Sequence, residues 1–265
     1  MNEFALFAGA GGGLLATHHL LGWRCIGYIE KEEYPARVLE ARIKDGLLSR
    51  APIFQMHLRE FIQRGYPEMY QGLVDVVTAG FPCQPFSRAG KGLAEADERN
   101  GWPDTISFIR LVRPRYVLLE NVANLIAKPY FGTILGDMAE SGYDYQWDCI
   151  PASAIGANHQ RDRLWIIAYD TSQGERSMAV ERQPHQKDLD LVGMGARKYT
   201  KLAQWWETEP GLGRMANGVA HRVERRLEAI GNGQVPGVVR EIWRLLIGQA
   251  EIQQDAGRNS ETRRR

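Results

Sequence analysis

The sequence predicts an α/β fold in which a mostly parallel sheet is covered by helices on both faces. Two observations indicate it: short apolar segments alternate with longer segments of helical composition, and the first apolar segment runs into a glycine-rich turn. The length of 265 residues fits one large domain with a small insertion. In such a sheet, ligands bind beyond the carboxyl ends of the strands.

The first predicted unit is a strand, a turn and a helix. Phe4–Phe7 is short and apolar, as in a buried strand, and Leu14–Leu21 can begin a helix. The turn between them contains Gly9, Gly11, Gly12 and Gly13. Glycines lack side chains and tolerate positive φ, so the backbone here can approach a ligand closely.

The following elements continue the alternation. A second strand at Arg24–Ile29 precedes a helix at Glu33–Lys44. Further strands are predicted at Val74–Ala79, Tyr116–Glu120 and Leu164–Tyr169, and helices at Thr105–Val112 and Tyr130–Ser141. Strands that alternate with helices imply parallel pairing. Residues 170–216 break the pattern with polar sequence, and helical order returns at residues 218–230 and again up to about residue 249.

The composition is that of an ordinary soluble globular protein. Hydrophobic residues make up 44%, and the net charge is +1, so any basic surface for a nucleic acid must be local. The sequence contains neither a membrane-spanning run nor a recognisable signal peptide, so we expect a cytoplasmic protein without a membrane partner. The three cysteines are far apart, which suggests neither a disulfide framework nor a metal site.

The glycine-rich turn alone permits several interpretations. It could hold a dinucleotide phosphate or the methionine end of S-adenosylmethionine, or bind nothing. Glu30 narrows the choice, because an acid at the end of the second strand can accept hydrogen bonds from ribose hydroxyls. The alternative for Glu30 is a surface carboxylate beside Lys31.

Cys83 lies in the most informative segment, Gly80-Phe81-Pro82-Cys83-Gln84-Pro85-Phe86-Ser87. The segment follows a strand, so the thiol is expected on a loop at the ligand-binding edge of the sheet. Prolines on both sides restrict the loop and fix the direction of the thiol. An isolated cysteine is usually a buried structural residue, but this rigid loop favours a nucleophile.

Five segments, in order, resemble motifs of the cytosine carbon-5 DNA methyltransferases. They are FAGAGGG at the cofactor loop, GFPCQPFS at the catalytic loop, Glu120-Asn121-Val122, Gln160-Arg161-Asp162-Arg163, and the late segment Gly231-Asn232 to Pro236. The resemblance implies a Rossmann-like S-adenosylmethionine-dependent methyltransferase fold with a small target-recognition element. It also implies a discontinuous catalytic domain of residues 1–169 and 217–249 and a recognition element at 170–216. The polar tail at 250–265, which ends in three arginines, is predicted to be disordered.

The resemblance implies four catalytic residues. Cys83 would add as a thiolate to carbon 6 of a cytosine flipped out of the duplex, which makes carbon 5 reactive. Glu120 would protonate or hydrogen-bond the ring nitrogen beside the exocyclic amine, and for this its pKa must be raised. Arg163 would contact the cytosine carbonyl oxygen, with Arg161 on the same face of an extended segment. Apart from the resemblance, these arginines could equally mark a charged strand edge.

S-adenosylmethionine is the cofactor that the resemblance implies. Its expected neighbours are Phe7, Gly9, Gly11, Gly12, Glu30, Pro82, Trp102 and Asn232. Two positions depart from the family pattern. Ala5 stands where an acid usually precedes the cofactor loop, and His57 stands where an Asp commonly contacts the adenine. Both departures concern the cofactor and leave the nucleophile intact.

Three alternatives to a DNA methyltransferase stay open at this stage. They are a transfer RNA cytosine methyltransferase on the same core, a nucleic-acid-binding protein without activity, and a nicotinamide oxidoreductase. The short recognition element favours the first, Ala5 and His57 the second, and the glycine-rich turn alone the third. The expected partners of the DNA enzyme are double-stranded DNA and a cognate restriction enzyme, and the expected state is a monomer. A phage-protective or orphan role is equally compatible with the sequence.

Overall fold

The structure, a computed structural model, describes residues 1–82, 100–157, 159–173 and 233–247. Its strands are β1 (Asn2–Leu6), β2 (Arg24–Ile29), β3 (Ile53–Phe54), β4 (Val76–Ala79), β5 (Tyr116–Val122), β6 (Tyr143–Ile150) and β7 (Arg163–Asp170). Its α-helices are α1 (Gly12–His19), α2 (Glu33–Lys44), α3 (Leu58–Gln63), α4 (Trp102–Val112), α5 (Tyr130–Glu140) and α6 (236–247). Short 3₁₀ helices occur at Tyr66–Tyr70, Ala123–Ala127, Ala152–Ile155 and Thr171–Gln173.

The seven described strands form one sheet in the order β3-β2-β1-β4-β5-β7-β6. Neighbouring strands are parallel except that β7 runs antiparallel to both β5 and β6. The chain winds outward from β1 to β3 and then crosses back to β4. The strand order therefore reverses between β1 and β4, and a crevice opens at such a point beyond the carboxyl ends of the strands.

Side-chain alternation divides the sheet into two apolar faces. Along β1, Phe4 and Leu6 pack into the cluster that contains the buried residues of α3, α4 and α5. Ala5 points the other way and packs with Leu14 of α1 and Leu39 of α2. Helix α6 covers the second face beside them through Val238, Val239 and Ile242. Helices thus cover both faces, which is the predicted fold class.

Most predicted elements agree with the structure. Strand β2 and helix α2 have the predicted bounds. Helix α4 begins at Trp102, three residues before the predicted start, because Pro103 is tolerated in the first turn of a helix. Strand β6 was missed, although its sequence YDYQWDCI alternates apolar and polar residues from Tyr143 to Cys149, which is the pattern of a half-buried strand. That strand owes its place to pairing along its whole length with β7.

Several predicted features lie outside the described ranges. They are Cys83, Asn232, the helix at 218–230, the recognition element after residue 173 and the tail at 250–265. None of the helices in the described part of the chain is long and apolar enough to cross a membrane.

Candidate active site

The glycine-rich turn follows β1 and has left-handed backbone at three alternate residues. Phe7, Gly9 and Gly11 have φ of 52°, 55° and 82°. A Cβ on Gly11 would come within 2.8 Å of Leu39 Cδ2, and one on Gly12 within 2.8 Å of the Gln234 carbonyl oxygen. Glycine is therefore required both by the φ of the turn and by the chain packed against it.

Glu30 follows the last residue of β2 and is buried, with 7% of its surface exposed. Its Oε2 accepts the Gly9 N–H at 2.7 Å, and its Oε1 accepts the Glu32 N–H at 2.8 Å. Burial raises the pKa of the Glu30 carboxyl, and these backbone hydrogen bonds oppose that shift. The alternative of a surface carboxylate beside Lys31 is therefore wrong, and Lys31 lies 3.4 Å from Glu32 instead. Glu30 ties the glycine-rich turn to β2.

Residues 233–234 return to this turn from the late part of the chain. The Arg161 guanidinium donates to the Gly233 carbonyl oxygen. A Cβ on Gly13 would lie 2.0 Å from Gln234 Oε1, so the Gln234 side chain occupies the space beside the first turn of α1. Gln234 also donates a side-chain hydrogen bond to Glu120. One residue therefore connects the glycine-rich turn to the acid of β5.

Glu120 and Arg163 form an ion pair, with Arg163 Nε 2.7 Å from Glu120 Oε1. The antiparallel register places Arg163 opposite Val122, which lies on the same face of β5 as Glu120. Both side chains are largely buried, at 12% and 24% exposure. Burial raises the pKa of the Glu120 carboxyl, while the charges of Arg163 and Arg161 oppose the rise. The carboxyl can therefore hold a proton more readily than an ordinary glutamate.

The backbone between Arg161 and Arg163 differs from the expected extended segment. Arg161 has φ of 43°, so the segment before β7 is not extended and the period of two does not relate Arg161 to Arg163. That expectation was wrong because the chain turns at Arg161 to reach Gly233. The charges of both arginines nevertheless act on Glu120. Burial and the neighbouring charge of Arg163 lower the pKa of Arg161.

The chain leaving β4 passes directly beside Glu120. A Cβ on Gly80 would lie 3.1 Å from Glu120 Oε2. Asn121 donates through Nδ2 to the Phe81 carbonyl oxygen at 3.2 Å, so it anchors the segment that leads towards Cys83. Pro82 is the last described residue before Cys83. The acid therefore stands next to the start of the loop that carries the predicted nucleophile.

The remaining predicted cofactor neighbours lie around Gly101, at the start of α4. A Cβ there would come within 2.7 Å of Pro82 Cδ and 3.2 Å of Phe7 Cζ. Trp102 itself is buried, donates through Nε1 to Asp137 at 2.7 Å and packs against Phe81. The indole thus holds this end of α4 against the chain leaving β4.

A cleft opens between the glycine-rich turn and the ends of β4 and β5. Its lining includes Glu3, Phe7, Gly9, Gly12, Thr17, Thr78, Gly80, Glu120 and Gln234. Backbone groups without side chains lie on one side and carboxylates on the other. This donor set fits a ligand that carries both hydrogen-bonding groups and positive charge, as S-adenosylmethionine does.

Sequence reasoning missed Glu3 and Gln234 as members of the site. The signal for Glu3 was an acid within the apolar run NEFALF, since a charged residue in a buried strand requires a reason. Gln234 lies in the segment GNGQVP, in which only Asn232 was predicted to contact the cofactor. Their proximity to the cleft follows from packing between distant segments.

The fold is that of the Rossmann-like methyltransferases. Its cleft contains a largely buried acid–arginine pair beside the glycine-rich turn. The sequence model of the C-5 cytosine-specific DNA methylase family matches residues 1–221, and the chain belongs to that family. Membership makes S-adenosylmethionine the cofactor of this site.

Individual relatives agree with this assignment. The type II methyltransferase M.HpaII of Haemophilus parainfluenzae is 33% identical over 210 residues, which cover 77% of this chain and 55% of that protein. M.CviJI of Paramecium bursaria Chlorella virus IL3A is 28% identical over 208 residues, covering 77% and 48%. The chain thus spans about half the length of the curated relatives it matches.

A solved structure shows the same fold. A DNMT2 mutant from Spodoptera frugiperda superposes with a TM-score of 0.51 at 20% identity, covering 67% of this chain and 53% of that one. At this identity the likeness concerns the fold alone.

Proposed function

We propose that the chain transfers a methyl group from S-adenosylmethionine to carbon 5 of cytosine in double-stranded DNA, with Cys83 as the nucleophile. The observation that carries the proposal is the Glu120–Arg163 pair beside Gly80, three residues before Cys83. A thiolate and an acid on adjoining segments can act on the same pyrimidine ring. Family membership supplies the prior for this chemistry.

The proposed reaction assigns a separate task to each residue. The Cys83 thiolate forms a bond to carbon 6, and Glu120 gives a proton or hydrogen bond to the ring nitrogen that gains negative charge. Arg163 holds Glu120 and would contact the cytosine carbonyl oxygen, and Arg161 holds the neighbouring chain at Gly233. The cofactor supplies an electrophilic methyl group. Loss of the carbon-5 proton and of Cys83 then restores the aromatic ring.

We also propose which residues bind the cofactor. Phe7, Gly9, Gly11 and Gly12 would provide the backbone surface, and Glu30 would accept from the ribose hydroxyls. Pro82, Trp102 and Asn232 would complete the site, with Asn232 outside the described ranges. Glu30 supports this proposal because its carboxylate is buried and oriented by Gly9 at the edge of the cleft.

The biological setting follows as part of the same proposal. We propose a cytoplasmic monomer that acts on one base at a time, either with a cognate restriction enzyme or in protecting phage DNA. The type II methyltransferases among its relatives favour a restriction-modification role.

The decisive experiment measures transfer of labelled methyl from S-adenosylmethionine to mixed-sequence duplex DNA, with transfer RNA as the competing substrate. We expect label on cytosine carbon 5 of DNA with the native protein and none with Cys83→Ser. Cys149→Ser is the matched control, since Cys149 lies on β6, the last strand in the order of the sheet. Label on RNA alone would support the transfer RNA enzyme, and cofactor binding without transfer would support a binding protein.

A further inference from the structure

Glu3 is a buried carboxylate at the second position of β1, with 1% of its surface exposed. Its Oε2 accepts a hydrogen bond from Thr17 Oγ1 of α1 at 2.6 Å, and its Oε1 accepts one from Thr78 Oγ1 of β4 at 2.7 Å. All three residues line the cleft. The mechanism proposed above does not use this group.

No Lys, Arg or His in the described ranges forms an ion pair with Glu3. Two titratable groups of β2, Cys25 and Tyr28, interact with it: burial raises the pKa of both, and the charge of Glu3 adds to the rise. The other carboxylate lining the cleft, Glu120, is already paired with Arg163. Glu3 thus has hydroxyl donors but no opposite charge among these groups.

Isolation of this kind is costly for an ionised carboxylate. Burial raises the pKa of Glu3 to about 7, although the two threonine hydroxyls oppose the rise. A buried acid that is partly ionised near neutral pH and faces a cleft is stabilised by a cation that enters the cleft.

The position of Glu3 relative to Ala5 identifies the cation. Residues two apart on a strand face the same side, and both Glu3 and Ala5 line the cleft. Ala5 stands where the resembling family usually has an acid before the cofactor loop. Glu3 begins two residues earlier on the same face, about 6.6 Å back along the strand, so its carboxylate would meet a cation at a different level of the cleft from an acid at Ala5.

We propose that Glu3 is a cofactor-binding residue whose carboxylate recognises the positively charged methionine end of S-adenosylmethionine, in place of the acid missing at Ala5. The inference rests on the cofactor assigned above but not on the nucleic acid or on Cys83. The competing possibility is a protonated Glu3 that only ties α1 and β4 to β1 through its two threonines.

The test is calorimetric titration of the full chain with S-adenosylmethionine at pH 6 and pH 7, in two buffers that differ in ionisation enthalpy. Because the cation favours ionised Glu3, the native protein should bind about fivefold more tightly at pH 7 and release protons on binding. Glu3→Gln should bind S-adenosylmethionine at least about tenfold more weakly than the native protein at pH 7, and its affinity should not depend on pH. The cofactor's ammonium stays mostly protonated over this range.

Two further variants separate recognition from a structural role. Ala5→Asp in the Glu3→Gln background should restore affinity, because it returns a carboxylate to the cleft from the same strand face. Thr78→Val keeps the Glu3 carboxylate but removes a donor, so it should move the midpoint of the pH dependence upward. Unfolding curves of each variant show whether it folds, and Thr78→Val tests the proposal even if Glu3→Gln does not fold.

S-adenosylhomocysteine, which lacks the sulfonium charge but keeps the ammonium, identifies the cationic group. An equal pH dependence for both compounds means pairing with the ammonium, and dependence for S-adenosylmethionine alone means pairing with the sulfonium; both support the proposal. Unchanged affinity and pH dependence in Glu3→Gln would overturn it while leaving the proposed function intact. Absence of binding by the native protein would overturn both.

Discussion

Glu120 and Glu3 lie on opposite sides of β4 and line the same cleft, Glu3 buried and Glu120 largely so. Glu120 has the Arg163 guanidinium at 2.7 Å and the charge of Arg161 nearby. Among the described residues, Glu3 has only the hydroxyls of Thr17 and Thr78. The protein thus provides the counter-charge for Glu120, on the side where the base is proposed to react. For Glu3, on the proposed cofactor side, a ligand can provide the counter-charge.

The largest effect is expected at the cation-paired acid. Glu120→Gln should lower kcat by about 10²- to 10⁴-fold, since an amide can donate a hydrogen bond but cannot deliver a proton. Binding of S-adenosylmethionine should change little. Steady-state methyl transfer and calorimetry measure the two quantities, and Glu60→Gln, on the exposed side of α3, is the control. A variant with nearly native kcat would remove Glu120 from the mechanism.

The second effect concerns stability, and it tests the Glu3 carboxyl without any ligand. The folded-state pKa of Glu3 lies above its ordinary value, so its stabilising contribution is complete below about pH 4.5 and is lost as pH rises through about 7. This loss amounts to about 2 to 3 kcal/mol in the free energy of unfolding between pH 5 and pH 8.

Urea unfolding at both pH values measures this contribution. Glu3→Gln should remove the Glu3 contribution and leave that of groups such as Glu30 and Glu120, whose pKa values burial also raises. A profile with the native slope in Glu3→Gln would mean that the buried carboxyl does not titrate there.

A third, smaller effect is expected at Glu30, whose charge is met by backbone donors rather than by side chains. Glu30→Ala should weaken S-adenosylmethionine binding by about 10- to 100-fold, because a charged hydrogen-bond acceptor and the anchor of Gly9 are both lost. Glu32→Gln is a matched control, since that side chain is 66% exposed. Equal affinities in calorimetry for the two variants would argue against a ribose contact.

The smallest effect should come from Gln234, which links the two sides. Gln234→Ala should lower kcat about fivefold, the size of one lost hydrogen bond. It should also raise the apparent pKa of Glu120 in the pH dependence of kcat, since the Gln234 hydrogen bond lowers that pKa. Gln63→Ala at the exposed end of α3 serves as the control. A lower kcat without a shifted profile would assign Gln234 to cofactor packing instead.

The sequence by itself was sufficient for the alternating elements and for the linear motifs. β2, α2 and the turn after β1 follow from local composition, and Glu120 was identified because an acid ends a strand within a recognisable tripeptide. These features are encoded over a few neighbouring residues. Periodicity and turn chemistry are therefore enough to find them.

Only the tertiary structure decided which distant groups meet. The antiparallel pairing of β7 with β5 brings Arg163 to Glu120. The left-handed backbone at Arg161 directs its guanidinium to the Gly233 carbonyl oxygen. Glu3 became part of the cleft only when Thr17 and Thr78 closed around it from a helix and a neighbouring strand. Burial and counter-charge depend on packing between segments far apart in the chain, so local sequence patterns do not determine them.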